Sequence, residues 1–399
     1  DIFFVISGYL ITGIILKEID QERFSFLNFY ARRIRRIFPA LLLIIVSSLI
    51  FGWGMLISIE FQQLSKHVAA ASAFIPNLVF WGEAGYFDKV ANSKPLLHLW
   101  SLGVEEQFYF FWPLLLVLFA SSKIRATSYL SYLVVVACVI AVSFYLNITQ
   151  TQVDPAGAFY SPFPRFWELM VGASLAISTE AKLIERLTKE SKLKSNLLNY
   201  TRQICALFGF CFLAYGFYHI THSSSFPGWL AMLPVLGTAL LIASGPDTLF
   251  HRYIFRFKPL VWVGLISYPL YLWHWTLFSF SSIIYPTLSV EFRLGLIVIA
   301  IVLSALTYFF VERPIRFGIN FRRTKTIGLF ALMVAVGIFG LVCYKGIVVP
   351  KSDVDVANII ADQQWTYHKS SRWEKVDIHP DDFKNAAQWK LTVEANEAA

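Results

Sequence analysis

Charged side chains are scarce in this chain. Asp, Glu, Lys and Arg make up 15% of its 399 residues, against about a quarter in an ordinary soluble domain. Hydrophobic residues reach 56%, aromatic residues 17% and mean hydropathy +0.57. These values exclude an ordinary soluble domain and point to a polytopic membrane protein. Cysteine is equally sparse. Cys138, Cys205, Cys211 and Cys343 all lie in apolar runs without CxxC or Cys/His spacing. That excludes a zinc site and a disulfide framework and leaves small packing residues; no metal is expected. Internal repeats and low-complexity tracts are missing, so the inverted-repeat signature of many secondary transporters is weak. A leader is missing too: the sequence starts at Asp1 rather than Met, with no charged n-region or cleavage pattern before its first apolar run, unlike a signal peptide. It reads as a chain that has lost its original N-terminus.

What is abundant is apolar sequence in runs of membrane-spanning length, which requires about 20 residues per helix. Ten runs are read at residues 2–16, 39–57, 96–120, 129–148, 161–178, 203–221, 227–244, 259–284, 291–311 and 326–346. The expected fold is therefore an all-α polytopic transmembrane bundle. Residues 1–320 form its main domain, 321–346 an additional helix and 347–399 a polar tail bearing Trp365, Trp373 and Trp389. The net charge of +8 does not signal nucleic acid, because the basic residues fall in every second loop. Arg23 and Arg32 to Arg36, then Lys123 and Arg125, then Lys182 to Arg202, then Arg252 to Lys258, then Arg313 to Lys325 mark cytoplasmic loops, by the positive-inside rule. The protein is then expected in the bacterial inner membrane, with its tail on the extracytoplasmic side. Segment 58–95 is the one long outer loop. Lys66-His67, an Ala-rich patch and Gly82 to Asp88 fit a re-entrant or interfacial helix over the bundle mouth.

Against this apolar background four polar constellations stand out. His98, Ser101 and Glu105 fall at i, i+3 and i+7 of one run, with Glu106 beside them and Tyr109 a turn further; they share one helix face. A carboxylate in hydrocarbon costs on the order of 3 kcal/mol or more, so the stripe faces a bundle interior or a watered cavity. Acid/base work and a helix-locking hydrogen-bond network are the two readings. Ser267, Tyr271 and His274 form a second stripe around Pro269, equally open to function or structure; Trp273 and Trp275 suit interface anchors. Arg32, Arg33, Arg35 and Arg36 end at Pro39. They serve topology and anionic lipid headgroups, or grip phosphates bidentately. Arg165 and Glu168, entering the fifth run at i, i+3, form a rim salt bridge or a polar entrance for a hydroxylated acceptor.

Together the segments Asp1 to Thr12, Tyr30 to Pro39, His98 to Tyr109, Ser267 to Trp275 and Val311-Glu312-Arg313-Pro314 resemble, in order, motifs of the membrane-integral acyltransferase-3 family, which O-acylates bacterial surface polysaccharides. The resemblance covers nearly all of residues 1–346. It implies a ten-helix core that takes an acyl group, usually acetyl, from cytoplasmic acetyl-CoA or another acyl-CoA. The acceptor is a hydroxyl of a lipopolysaccharide O-antigen or exopolysaccharide. In that picture Arg32, Arg33, Arg35 and Arg36 handle the CoA phosphates, and Ser7 and Gly8 line the acyl path. His98, Glu105 and His274 take supporting catalytic roles, while Ser101, Arg165, Glu168, Ser267 and Tyr271 meet the acceptor. The resemblance also implies a preceding helix carrying an arginine and the principal histidine base. Neither is in this sequence, so the chain as it stands is expected to be inactive. Helix 326–346 and its tail resemble members that append an SGNH-type domain, though residues 347–399 contain no Gly-Asp-Ser motif. Two other classes remain: a transporter or flippase of lipid-linked glycan, and a non-catalytic scaffold.

Overall fold

Helix is the one regular structure open to these runs, because a spanning helix satisfies its own backbone polar groups. The computed structural model describes residues 1–84, 93–121, 129–180, 192–221, 224–285, 287–318 and 321–350. Among these residues every regular element is helical. In chain order they are α1 (Ile2–Asp20), α2 (Phe26–Met55), α3 (Ser58–Ser72), α4 (Pro76–Glu83), α5 (Leu99–Ser121), α6 (Tyr129–Val153), α7 (Pro155–Tyr160), α8 (Phe166–Glu180) and α9 (Lys192–His219). A short 3₁₀ turn, Gly228–Ala231, then leads into α10 (Met232–Ser244), followed by α11 (Lys258–Ile284) and α12 (Val290–Leu306). A π-helical turn, Thr307–Glu312, continues α12 into α13 (Arg313–Phe317), and α14 (Arg322–Tyr344) follows.

Each of the ten expected runs is occupied by a helix, and among the described residues five helices are long and apolar enough to cross a membrane on length and composition alone. The chain is a multi-pass membrane protein. Much of the tail, 351–399, with its three tryptophans, lies outside the described residues, as do Lys123, Arg125 and the first part of the Lys182 to Arg202 segment. The helix read as additional, α14, is packed into the bundle. Met333, Val336 and Cys343 are buried with Leu64 and Val68 of α3 and Leu41 and Ile45 of α2.

Two hydrophobic cores meet at α5. Leu99 and Leu102 belong to a core built with α2, α3, α11 and α14. One turn on, Val104, Phe108, Tyr109, Trp112 and Leu116 belong to a second core with α1, α6 and α8. The helix carrying the Glu105 stripe is therefore the shared wall of both halves.

Segment 58–95 does contain a helical hairpin, and its tip descends between the long helices. Ser58 Oγ donates to Pro350 O at 3.3 Å, beyond the end of α14. At the other end of α3 the turn Phe74 to Asn77 reaches the third turn of α5, where Gln107 Nε2 donates to Phe74 O at 3.0 Å and Asn77 Oδ1 at 2.9 Å. Asn77 Nδ2 in turn donates to Tyr160 O at 3.1 Å. Irregular backbone at such depth is tolerated when protein groups satisfy it, and Gln107 does so. Gly82 and Glu83 close α4, while 85–92 lie outside the described residues.

At the open end of the hairpin Glu83 gathers three cationic or imidazole partners: Lys66 Nζ at 2.7 Å, His67 Nε2 at 2.9 Å and Lys94 Nζ at 3.3 Å. Burial alone would raise the Glu83 carboxyl, but hydrogen bonding and charge from His67 and Lys66 more than reverse this and hold it at about 2. A carboxyl depressed from its ordinary value of 4.5 contributes stability that is complete above that value and is lost as pH falls toward 2. Hydrogen-exchange protection in α3 and α4, taken relative to the intrinsic exchange rate at each pH, is accordingly expected to fall between pH 4.5 and about 2, and Glu83→Gln to flatten that dependence. An unchanged acid profile in Glu83→Gln would remove the carboxylate from this account.

Candidate functional site

The polar stripe of α5 lines the seam between α1 and α11. Ser7 Oγ of α1 donates to Glu105 Oε2 at 3.0 Å, and Tyr109 OH donates to the same oxygen at 3.0 Å. Two converging donors make the site a preformed holder for a carboxylate. Ser7 and Glu105 are half-buried, so the group meets a cleft rather than a sealed core. Tyr109 itself is buried. Its i, i+4 relation to Glu105 fixes both on one helix face.

Glu106 turns the other way. Arg33 Nη2 donates to Glu106 Oε1 at 2.5 Å, and the Arg33 guanidinium lies 3.9 Å from the centroid of the Tyr109 ring. The planar cation thus stacks on the ring whose hydroxyl holds Glu105, a contact worth about 0.5–2 kcal/mol depending on desolvation. Arg33 ties α2 to α5 and fixes Tyr109; its side chain is 12% exposed. It serves as a positioning residue between the arginine segment and the carboxylate.

Arg32 and Arg35 are directed to other partners. Arg32 Nη2 meets Glu18 Oε2 at 2.9 Å and Arg35 Nη1 donates to Thr326 Oγ1 at 2.8 Å. Arg36 is exposed and has no hydrogen-bond or ion-pair partner among the described residues. Glu312, in the π-helical turn, is buried and pairs with Arg316 at 3.0 Å. Such turns often sit at functional sites, and here the turn brings the Glu312-Arg313-Pro314 motif to the arginine-bearing end of α2.

Toward the opposite end of the seam, Ser101 Oγ and Tyr271 OH are 2.8 Å apart, and Tyr271 OH also donates to His98 O. The His98 ring lies 5.0 Å from that of Tyr271 and 6.2 Å from that of His274. His274 Nδ1–H donates back to Leu270 O at 2.9 Å, which leaves Nε2 directed away from its own helix. His98 is buried, and among the described residues neither ring nitrogen has a partner of full hydrogen-bond geometry. Buried polar atoms are rarely left so. The two sequence stripes therefore face each other, with one exception: Ser267 Oγ donates to Gly264 O at 2.9 Å and closes on its own helix.

Arg165 and Glu168 pair as their spacing implied, at 3.0 Å, but they are not at a rim or an entrance. Both are fully buried. Arg165 also bonds the Asp1 carboxylate and is ringed by Trp100, Phe4, Phe226 and Phe159 at 5.5 to 5.9 Å. Two prolines preceding α8 cannot donate, and the carbonyls there are taken by α6: Ser143 Oγ donates to Phe163 O at 2.5 Å and Asn147 Nδ2 to Pro164 O at 3.2 Å. The pair is an internal bolt between α1 and α8. Gly8 belongs to the same contact. It is buried against the backbone of Leu169, on the side of α1 turned from Ser7, and packs helices rather than lining the cleft.

Sequence reading missed the hairpin contacts of Gln107 and the Glu83 cluster. It also missed the Arg33 to Glu106 pair, 73 residues apart in sequence. Among the described residues no cluster of His, Cys, Asp or Glu is suited to hold a metal ion.

Several known proteins are similar to this chain. A Bacillus subtilis protein named for peptidoglycan O-acetyl transfer is 32% identical over 326 residues, covering 79% of this chain and 50% of its own length. The peptidoglycan O-acetyltransferase of Listeria monocytogenes is 29% identical over 322 residues, with the same two shares. An uncharacterized Haemophilus influenzae protein is 37% identical over 250 residues, 61% of this chain and 96% of its own. The chain thus spans about half the length of the two named O-acetyltransferases. No solved structure matches it. A family model described as an acyltransferase domain matches residues 1–311, which takes in α1, α2, α5, α11 and most of the π-helical turn, so the chain belongs to the acyltransferase-3 family.

Proposed function

We propose that the complete protein transfers an acetyl group from cytoplasmic acetyl-CoA to a hydroxyl of a cell-envelope glycan on the other side of the inner membrane. The carrying observation is the carboxylate Glu105, held by Ser7 and Tyr109 in a half-buried seam. It lies between an arginine-bearing end and a histidine-bearing end. The donor's thioester supplies an activated acyl carbon: its C–S bond breaks, an ester C–O bond forms, and the acceptor's hydroxyl proton leaves. Arg32, Arg35 and Arg36 fit phosphate groups, since among the described residues Arg36 has no hydrogen-bond or ion-pair partner and the other two lie on the same end of the helix. Arg33 is already engaged by Glu106. Glu105, with His98 and His274 toward the opposite end, orients the acceptor hydroxyl and receives or relays its proton. Ser101 and Tyr271 supply hydroxyls to the same cleft. The basic loops make the arginine end cytoplasmic and the end after α14 extracytoplasmic.

The names of two relatives make peptidoglycan the first acceptor to test. Lipopolysaccharide O-antigen and exopolysaccharide follow. The test is release of free CoA from acetyl-CoA by the complete protein in membranes, with and without glycan. Glycan-dependent release is expected. Glycan movement without CoA release would place the protein among transporters, and neither among scaffolds.

A further inference from the structure

Glu105 and Tyr109 sit just before a break in the backbone hydrogen bonding of α5. Pro113 lies inside this helix and is buried. A proline has no N–H, so the carbonyl four residues earlier, Tyr109 O, lacks the donor that an α-helix ordinarily supplies, and the ring crowds that same oxygen. In hydrocarbon no water replaces the lost donor, and a neighbouring helix must do so. The break also divides α5 into two lengths. The length before it carries the seam residues Ser101 and Glu105, and the length after it runs on through Leu116 in the second core.

Tyr30 of α2 supplies the donor. Its hydroxyl donates to Phe110 O at 3.1 Å and to Tyr109 O at 3.4 Å, one hydrogen shared between two carbonyls. Phe110 O already has the N–H of Leu114 at its helical position, whereas Tyr109 O receives none from Pro113. The Tyr30 ring stands against Phe29 and Phe110, with centroids 5.2 and 6.4 Å away, and this packing keeps the hydroxyl on α5.

Tyr30 and Arg33 are i and i+3 on one face of α2, and they take hold of the same residue. Tyr30 binds the main chain of Tyr109, while the Arg33 guanidinium covers its ring at 3.9 Å and pairs with Glu106. A proline break is where a helix bends. Anchored there to α2, the turn from Glu105 to Tyr109 is held against α1, where Ser7 Oγ reaches Glu105 Oε2 at 3.0 Å. A small swing at the break would part those two groups, since hydrogen bonds weaken steeply with misalignment.

We infer that Tyr30 is a positioning residue for the transfer: its hydroxyl replaces the donor that Pro113 removes and so keeps the Glu105 turn of α5 in place opposite Ser7. This rests on the acetyl-transfer reading. The experiment measures glycan-dependent CoA release, and melting by fluorescence-detected size exclusion, in the complete protein. Tyr30→Phe removes the hydroxyl and keeps the ring. It is expected to lower kcat about three- to tenfold, the rate equivalent of one hydrogen bond, with KM for acetyl-CoA unchanged. Two double-mutant cycles separate this from a general loosening of the fold. Pro113→Ala restores an N–H opposite Tyr109 O, so adding Tyr30→Phe to it should cost no further kcat. Glu105→Gln removes the group being positioned, so Tyr30→Phe should again cost nothing more, whether or not Pro113→Ala folds. A parent kcat in Tyr30→Phe, or an undiminished fractional loss in the Glu105→Gln background, overturns the proposal while acetyl transfer stands. No CoA release from the parent overturns acetyl transfer. A melting loss in Tyr30→Phe that Pro113→Ala cancels would then still uphold the Tyr30 bond, and one that it does not cancel would overturn that bond as well.

Discussion

Glu105→Gln in the complete protein is expected to lower acetyl transfer by about 10²-fold or more, the scale of a lost acid/base group, while leaving the protein folded. Glutamine has nearly the shape of glutamate, and its carbonyl oxygen still accepts from Ser7 or Tyr109 at the positions where both now meet Oε2. What disappears is the negative charge and the capacity to take a proton. The loss should fall on kcat. KM for acetyl-CoA should hold, because Arg32, Arg35 and Arg36 make no contact with Glu105. Tyr109→Phe separates the two parts of the effect: it removes one donor but keeps the ring on which Arg33 stacks. It should reduce the rate less than Glu105→Gln does. Acetylation at the parent rate in Glu105→Gln would remove Glu105 from the chemistry and leave it as a link between α1 and α5.

The stripe containing Glu105 was visible because helical periodicity reports which residues share a face. His98, Ser101 and Glu105 do line one seam, and Tyr271 and His274 of α11 face it from the other side. Periodicity is silent about the partner across the gap. Glu105 and Glu106 are neighbours of one type, yet one is held by hydroxyls of α1 and α5 and the other by a guanidinium of α2. Only the packing of α1 and α2 against α5 decides which is which. The same limit explains Arg165 and Glu168. Their mutual pairing is local and legible, but the aromatic ring around Arg165 is made by Phe4, Trp100, Phe159 and Phe226, three of which arrive from distant segments. For Arg33 the composition of the arginine cluster masked a difference in direction, since a helix turns successive side chains by about 100°. Arg32, Arg33, Arg35 and Arg36 therefore fan over an arc of about 160°, and Arg33 stands at the edge of it that meets α5. The hairpin was foreshadowed by an outer loop too apolar to be a simple connection. Its depth depends on Gln107, whose amide is the hydrogen-bonding match for an exposed turn.

Gly8→Ala is expected to abolish accumulation of folded protein, independently of any effect on chemistry. A Cβ at residue 8 would stand 1.9 Å from Leu169 O, and at Gly172 the same addition would stand 2.0 Å from Val5 O. The two glycines face each other's helices, so α1 and α8 are in contact backbone to backbone. This is the close approach that small residues allow in membranes, where packing rather than water drives helices together. The obstructing atoms are main-chain carbonyls and have no rotamer to change. The helices must separate, and the bolt of Arg165, Glu168 and Asp1 lies in the same interface. Overpacking of this kind ordinarily costs about 1–3 kcal/mol where side chains can adjust, and here adjustment would leave a buried arginine and glutamate without their partner helix. Gly13→Ala is the internal control. Its nearest neighbour would be Ala176 Cβ at 4.0 Å, an ordinary contact one and a half turns along the same helix pair. Fluorescence-detected size exclusion after a heat step should show Gly13→Ala melting with the parent and Gly8→Ala absent or aggregated. Equal melting of all three would mean that α1 and α8 are not in backbone contact. Ser7 would then have no fixed station opposite Glu105.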